Sequence, residues 1–338
     1  MPVRVGLMGF GRIGRNIFRI LYKRDDVEVA AISDVADHES LEYLLRFDTI
    51  HGRFPDLVSV EAGHLYTRGK QIAMLSGREP GDVPWGDLGV DVVVEATARY
   101  RSREELRKHL DAGAKRVVLC VPPLDEPDFT VVMGVNDDRL TADHRIISNS
   151  SVTANCAAPM AQILDNAFGV EHIFMTTIHA YSNDQRLADV PADDLRRSRA
   201  AAQNIIPTDT NAARTVTQSV PHLEGKVSGM ALKVPVSNGS LVDMVLSTRK
   251  PIDATAVNEV MRTAAATERY ARYVDYSSDP IVSSDIRQSP YSCTFDSLAT
   301  MALGQHMVKT IGWYDNGWGY AHRVVNLIEH LAQLPGGL

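Results

Sequence analysis

Between Val3 and Ile147, short apolar runs alternate with segments whose apolar residues recur at helical spacing. The runs Val3–Met8, Val27–Ser33, Val90–Ala96, Val117–Val121 and Val131–Val135 predict strands, and Ile13–Lys23, His38–Phe47 and Arg103–Ala112 predict helices. That alternation builds a parallel sheet covered by helices. After Ser148 the rhythm changes. A helix over Val152–Phe168 leads to a strand ending at His179, then to a polar stretch, Ser182–Ser198, rich in Asp and Arg. Strands at Val227–Val236 and Ser240–Lys250, a helix near Ala254–Thr267, further strands and a last helix near Tyr320–Leu331 follow. Strand-rich sequence with few crossover helices predicts a mixed or antiparallel sheet.

A chain of 338 residues exceeds one ordinary core and suits two domains. With 44% hydrophobic and 23% charged residues and no apolar run long enough to span a bilayer, the composition is that of a soluble globular protein without a membrane partner. The start, Met-Pro-Val-Arg-Val-Gly, runs straight into a strand and lacks the regions of a signal peptide, so a cytoplasmic location is expected. A net charge of −7 gives no general attraction to nucleic acid, and any phosphate must be held locally. Cys120, Cys156 and Cys293 are too widely spaced for a disulfide framework, argue against a Cys-based zinc site, and read as reduced thiols; no metal is expected.

Local anion binding is what Gly9-Phe-Gly11-Arg-Ile-Gly14 offers. It follows the first strand and opens the first helix. One glycine permits the tight turn, one lets the backbone approach a pyrophosphate and one lets helix and strand pack closely, while the helix N-terminus presents unpaired N–H groups. Arg12 and Ile13 lie inside the turn, Arg12 beside the pyrophosphate. Asp34 stands 20 residues after Gly14, at the end of the second strand, where a carboxylate accepts hydrogen bonds from an adenosine ribose. Asp34 repels a 2′-phosphate and no arginine follows it, so the cofactor is expected to be NAD rather than NADP.

With that turn in view, Ser148-Asn-Ser-Ser-Val-Thr-Ala-Asn-Cys156, Thr176-Thr-Ile-His-Ala-Tyr181, Ala202-Gln-Asn-Ile-Ile-Pro207 and Trp313-Tyr-Asp-Asn316 together resemble the phosphorylating glyceraldehyde-3-phosphate dehydrogenase family, nearly end to end. His51-Gly-Arg-Phe54, Pro84-Trp85 with Leu88-Gly-Val-Asp91, and Asp194-Leu-Arg-Arg-Ser-Arg199 look closer to its erythrose-4-phosphate dehydrogenase branch. The resemblance implies an α/β fold: a Rossmann-type NAD-binding domain over residues 1–151, completed by a C-terminal helix at 317–338, and an α+β catalytic domain with a mixed sheet over 152–316. It also implies a homotetramer. The family's motif reads Ser-Asn-Ala-Ser-Cys-Thr-Thr-Asn-Cys, and its first cysteine attacks the aldehyde carbon; here that position is Val152.

Valine has neither a lone pair nor an acid–base function, so neither thiohemiacetal nor thioester can form on it. Cys156 lies one helical turn further, about 6 Å deeper, and is expected to pack in the core. Ser151 adjoins the position, but its hydroxyl needs a base and is expected to cap the helix. Thr153 is retained. Elsewhere the resemblance matches Ser182 and Asp184 to two substrate-side threonines, Lys233 to an arginine and Thr210 to a phosphate-binding threonine, with Asn211 in place of a glycine. Lys233 keeps the charge but not the bidentate geometry, and Asp184 opposes a phosphate.

His179 matches the family's catalytic histidine, Asn316 the asparagine that orients the nicotinamide carboxamide, and Thr97 a cofactor-side threonine. Asn316 has a second reading, as a cap on the turn before Gly317. Arg186, Arg196, Arg197 and Arg199 line a pocket or interface, or form a solvated charged loop. A histidine beside nicotinamide suffices for hydride chemistry, because it takes the hydroxyl proton as hydride leaves carbon. The expected function is therefore a divergent, NAD-dependent oxidoreductase for a small phosphorylated or polyhydroxylated aldehyde or alcohol, working without a cysteine thioester. The alternatives are a non-catalytic homologue that binds NAD or a sugar phosphate, and a redox-neutral enzyme that uses bound NAD.

Overall fold

The computed structural model describes residues 1–77, 79–336 and 338. Two compact units emerge: Met1–Val131 with Asp138–Ser150 and Ala321–Leu338, and Val132–Asp137 with Ser151–Tyr320.

The first unit contains strands β1 (Val3–Met8), β2 (Val27–Ser33), β3 (Phe47–Asp48), β4 (Gly52–Arg53), β5 (Ser59–Glu61), β6 (His64–Thr67), β7 (Lys70–Leu75), β8 (Val92–Glu95), β9 (Arg116–Leu119), β10 (Phe129–Thr130) and β11 (Ile146–Ser148). Its helices are α1 (Arg12–Leu21), α2 (His38–Arg46), α3 (Arg103–Asp111) and, from Ala321 on, the last helix of the chain. Nine strands form one sheet in the order β10-β11-β9-β8-β1-β2-β7-β6-β5. From β10 to β7 all neighbours are parallel, and chain order reverses direction between β1 and β8. Val5, Leu7, Ile17, Phe18, Leu21 and Ile32 are fully buried along β1, α1 and β2, which fixes the helix on the sheet by its apolar stripe. Capping sets the helix starts. Asp37 accepts from Ser40 N at 2.8 Å ahead of α2, and Ser102 and Glu105 form a reciprocal capping box at α3.

Two expectations are corrected here. The sheet is not wholly parallel: β5, β6 and β7 are joined by antiparallel hairpins. Their loops, Ala62-Gly63 and Arg68-Gly69, have both residues at positive φ (47° and 75°, 49° and 74°), the twist that two-residue hairpin turns require. The run Val131–Val135 is not a strand. It is a buried turn in which Val132 N donates to Asn136 Oδ1 and Gly134 takes φ 84°, and the strands at that edge are β10 and β11.

The second unit contains α4 (Val152–Phe168), β12 (Val170–Ala180), β13 (Ile206–Thr208), α5 (Ala212–Ser219), β14 (Val227–Val234), β15 (Ser240–Thr248), α6 (Ala254–Ala265), β16 (Val274–Ser277), β17 (Cys293–Leu303) and β18 (Met307–Tyr314). The sheet order is β13-β14-β12-β15-β18-β17-β16. It is mixed, as expected: β12–β14 and β16–β17 are parallel and the other pairs antiparallel. The helix α4 is apolar almost all round and buried, packed on the sheet by residues such as Cys156, Met160 and Leu164. It ends at Gly169 with φ 70°. On the sheet's other face Phe174, Met230 and Met301 are exposed. The last helix, α7, spans Trp318–Gln333.

Candidate functional site

Each glycine of the first turn occupies a distinct environment. Gly9 sits at φ 95°, and a Cβ there would lie 2.9 Å from Thr97 N. A Cβ on Gly14 would stand 2.2 Å from the Gly9 carbonyl oxygen, so only glycine lets α1 approach β1 this closely. Around Gly11 nothing lies within 4 Å of an added Cβ, which leaves its face open to a ligand. Gly11 is the N-cap of α1 and supplies no side-chain cap, and the first turn, with Arg12 and Ile13, carries no acidic residue. An anion therefore meets unfilled N–H donors and the positive end of the helix dipole.

Asp34 is anchored to the same turn. Its Oδ2 accepts from Phe10 N at 2.7 Å and its Oδ1 from Ala36 N at 3.0 Å. That places the carboxylate at the mouth of the glycine turn, at the carboxyl end of β2. Thr97, just beyond the end of β8, packs against Gly9.

The other expected residues belong to the second unit. His179 and Lys233 face each other across the parallel pair β12–β14. Lys233 Nζ lies 3.1 Å from His179 Nδ1 and donates to Ser182 Oγ at 3.0 Å. Ser182 Oγ donates to Asp184 Oδ1 at 2.6 Å, and Arg197 closes the chain on Asp184 Oδ2 at 2.6 Å. Burial pushes the Asp184 carboxyl up, but the Ser182 hydrogen bond and the charges of Arg197 and Lys233 outweigh it and hold the group below the usual carboxylate range. Of the arginine run, Arg197 thus joins the cluster, whereas Arg199 pairs with Asp189 in the exposed loop.

His179 Nδ1 also lies 2.5 Å from Ala180 O, and one nitrogen cannot both donate to that carbonyl and accept from Lys233. The carbonyl has no proton to give, so the shorter contact fixes Nδ1 as the donor, and in the neutral ring the lone pair is then on Nε2.

Val152 is the first residue of α4, half-buried, and Ser151 caps the helix by accepting from Ala154 N at 3.0 Å. Cys156 is fully buried, and burial pushes its thiol well up. Thr153 Oγ1 lies 3.0 Å from the Tyr314 hydroxyl, and the Tyr314 ring meets His179 edge-on at 6.2 Å between centroids. Tyr314 thus links the helix start to the histidine. Sequence reasoning missed it, although the segment Trp313–Asn316 contains it. Ser151 Oγ reaches Thr215 Oγ1 on α5 at 3.4 Å, and Thr210 Oγ1 accepts from Ala212 N at 3.1 Å, at the start of the same helix.

Asn316 is buried. Its Oδ1 accepts from Gly239 N and from Ser240 Oγ, each at 3.2 Å, and Ser240 Oγ accepts from Ala180 N next to His179. Capping the turn before Gly317 falls instead to Asp315, which accepts from Gly317 N at 2.8 Å and Trp318 N at 2.6 Å, so that alternative for Asn316 is set aside.

The NAD-binding domain model of glyceraldehyde-3-phosphate dehydrogenase matches residues 3–103, and the model of its C-terminal domain matches 151–316. The chain belongs to the glyceraldehyde-3-phosphate dehydrogenase family. It is 47% identical over 333 residues to the glyceraldehyde-3-phosphate dehydrogenase of Geobacillus stearothermophilus, covering 98% of this chain and 99% of the relative. A relative of the same name from Mycobacterium avium is 47% identical over 335 residues, 97% of this chain and 98% of its own length. Glyceraldehyde-3-phosphate dehydrogenase 1 of Bacillus subtilis is 45% identical over 334 residues, 98% and 99%. Membership makes this an NAD-binding chain of a dehydrogenase family, with a Rossmann-type domain and a mixed-sheet second domain. The open Gly11 face, the uncapped helix start and the Asp34 carboxylate fit that cofactor.

Proposed function

We propose that this family member is an NAD-dependent oxidoreductase that interconverts a small phosphorylated or polyhydroxylated aldehyde and alcohol without a covalent thioester. The observation that carries the reading is the pairing of a valine at the head of α4 with an oriented His179, while all three cysteines are buried. By its resemblance to the family's motif, Val152 takes the place of the attacking thiol in this reading, and the three cysteines are all buried. The segments His51–Phe54 and Asp194–Arg199 keep a four-carbon sugar phosphate within the substrate class.

Gly9, Gly11, Arg12, Ile13, Gly14, Asp34, Thr97 and Asn316 hold the cofactor in this reading, and NAD, when bound, takes up or gives the hydride. The chain's own residues manage the proton. Nε2 of His179 takes the hydroxyl proton of an alcohol, or returns it to the oxygen of a reduced aldehyde. The hydrogen bond from Nδ1 to the Ala180 carbonyl fixes the orientation of the ring, and with it the direction in which Nε2 points. Ser151, Thr153, Ser182, Thr210 and Lys233 present hydroxyl and ammonium groups to substrate oxygens. Asp184 engages Ser182 and Arg197, and its negative charge favours hydroxyl groups over a phosphate at that end.

One observation favours a second reading, a homologue that binds without turnover: Lys233, Ser182, Asp184 and Arg197 spend hydrogen bonds on one another. Assays of the purified protein with NAD and NADH against sugars, polyols and their phosphates separate the two. We expect turnover, and a loss of about 10²–10⁴-fold in kcat/KM for His179→Ala with nucleotide affinity unchanged. No turnover with any of these compounds, and identical behaviour of His179→Ala, would sink the oxidoreductase reading and leave the binding one.

We also propose a homotetramer. Phe174, Val245, Lys309 and Met301 align in register across four strands of the second sheet's open face. Two of the four, Phe174 and Met301, are exposed apolar residues, which suits contact with another copy of the chain.

A further inference from the structure

Beneath Thr97 lies a set of polar groups that the proton chemistry does not use. Glu95 ends β8 and is fully buried, as are His109 on α3 and Trp85. Trp85 Nε1 donates to His109 Nδ1 at 3.0 Å, and His109 Nε2 lies 3.2 Å from Glu95 Oε2. The other carboxylate oxygen, Oε1, accepts from Thr97 N at 2.8 Å and from the Thr97 hydroxyl. Thr97 Oγ1 in turn accepts from Arg99 N at 3.1 Å, across Ala98, which is held at φ 59°.

The protonation states follow from the donors. An indole N–H only donates, so His109 Nδ1 is an acceptor and bears no proton. Its hydrogen is on Nε2, the ring is neutral, and it donates to Glu95. Every contact to Glu95 is therefore a donor: the imidazole N–H, the Thr97 amide and the Thr97 hydroxyl. Three donors converge on the carboxylate, an arrangement that suits its anionic form. In this tautomer the His109 ring brings no positive charge to the pair.

The position of Glu95 gives its negative charge an object. In a doubly wound sheet a dinucleotide lies across the carboxyl ends of the strands where their order reverses, here between β1 and β8. Asp34, at the end of β2, marks the adenosine side. Glu95 and Thr97, at the end of β8, lie on the opposite side, under the nicotinamide half. The oxidised nicotinamide ring is cationic and the reduced ring is neutral.

We propose that Glu95 is a positioning residue that acts through Thr97 on the nicotinamide half of the cofactor, and that its buried charge makes this unit prefer NAD+ to NADH. The inference rests on NAD binding at the glycine turn. Removing the charge weakens NAD+ more than NADH, whereas loosening the fold weakens both alike.

The test compares dissociation constants for NAD+ and NADH, by calorimetry and by NADH fluorescence, in the full chain. For Glu95→Gln we expect the ratio Kd(NAD+)/Kd(NADH) to rise about threefold or more at low salt, in keeping with a charge acting through a poorly screened interior. Val93→Ala loosens the core under the same strand but leaves every donor to Glu95 in place. It is expected to lower the melting temperature and leave the ratio unchanged. Thr97→Val should weaken both nucleotides, and Thr97→Ser, which restores the hydroxyl, should recover them. An unchanged ratio in a folded Glu95→Gln protein overturns the inference, as does an equal shift in Val93→Ala. Should Glu95→Gln fail to fold, failure of Thr97→Ser to recover what Thr97→Val loses overturns it. Failure of the unaltered protein to bind either nucleotide overturns NAD binding itself, and the inference with it.

Discussion

The glycine turn and the His179 cluster handle polar groups in opposite ways. In the turn, donors are left open: nothing crowds Gly11, no side chain caps α1, and the neighbouring carboxylates are tied to the backbone. In the cluster, donors and acceptors are turned on one another, from Lys233 through Ser182 and Asp184 to Arg197. The first arrangement is built to receive a fixed, anionic ligand. The second has closed part of its surface, so a substrate there must compete with existing hydrogen bonds. In the proposed reading, cofactor recognition keeps a demanding geometry while the substrate side has been altered.

The largest test of this contrast is at Gly14. A Cβ 2.2 Å from the Gly9 carbonyl forces backbone apart, so Gly14→Ala should cost about 1–3 kcal/mol of stability and weaken NAD binding by about 100-fold. Retention of near-normal binding, measured by calorimetry, would break the claim that the turn tolerates no change. Next comes Val152→Cys. If the substrate side has been rebuilt as a whole, restoring a thiol at the head of α4 should raise aldehyde oxidation by less than about tenfold, because a lone nucleophile supplies little without its partners in place. A gain of about a thousandfold would show that only the nucleophile had changed.

The smallest effect concerns Asp184. Its folded carboxyl is held below the usual range, so its contribution to stability is present above the unfolded value and fades as pH falls through the folded one. The side chain is 53% exposed, which limits the pair with Arg197 to at most about 1 kcal/mol. Asp184→Asn should therefore melt slightly below the unaltered protein at pH 7, with the gap closing below about pH 4. A gap that persists at pH 3 would mean that the side chain acts by packing rather than by charge.

Much of the nucleotide site was legible because its demands are local. Three glycines and one aspartate at fixed spacing specify a turn, a helix start and a carboxylate at a strand end. The α4 boundaries were legible for the same reason, with Ser151 as cap and Gly169 as stop. The hairpins of β5–β7 were not, because short, half-exposed strands carry little apolar alternation. Val131–Val135 misled because burial alone makes a run apolar, whether or not it pairs. Lys233 beside His179 is a product of strand register, and Trp85–His109–Glu95 joins three elements that no periodicity connects.

The burial of Cys120, Cys156 and Cys293 has a consequence for the conditions under which such a protein works. Alkylating agents and peroxides attack exposed thiolates, and burial pushes both Cys120 and Cys156 away from that form. Under the proposed reading, in which an imidazole handles the proton and NAD the hydride, catalysis uses no reactive thiol, and oxidants that silence thiol-dependent dehydrogenases should leave it running.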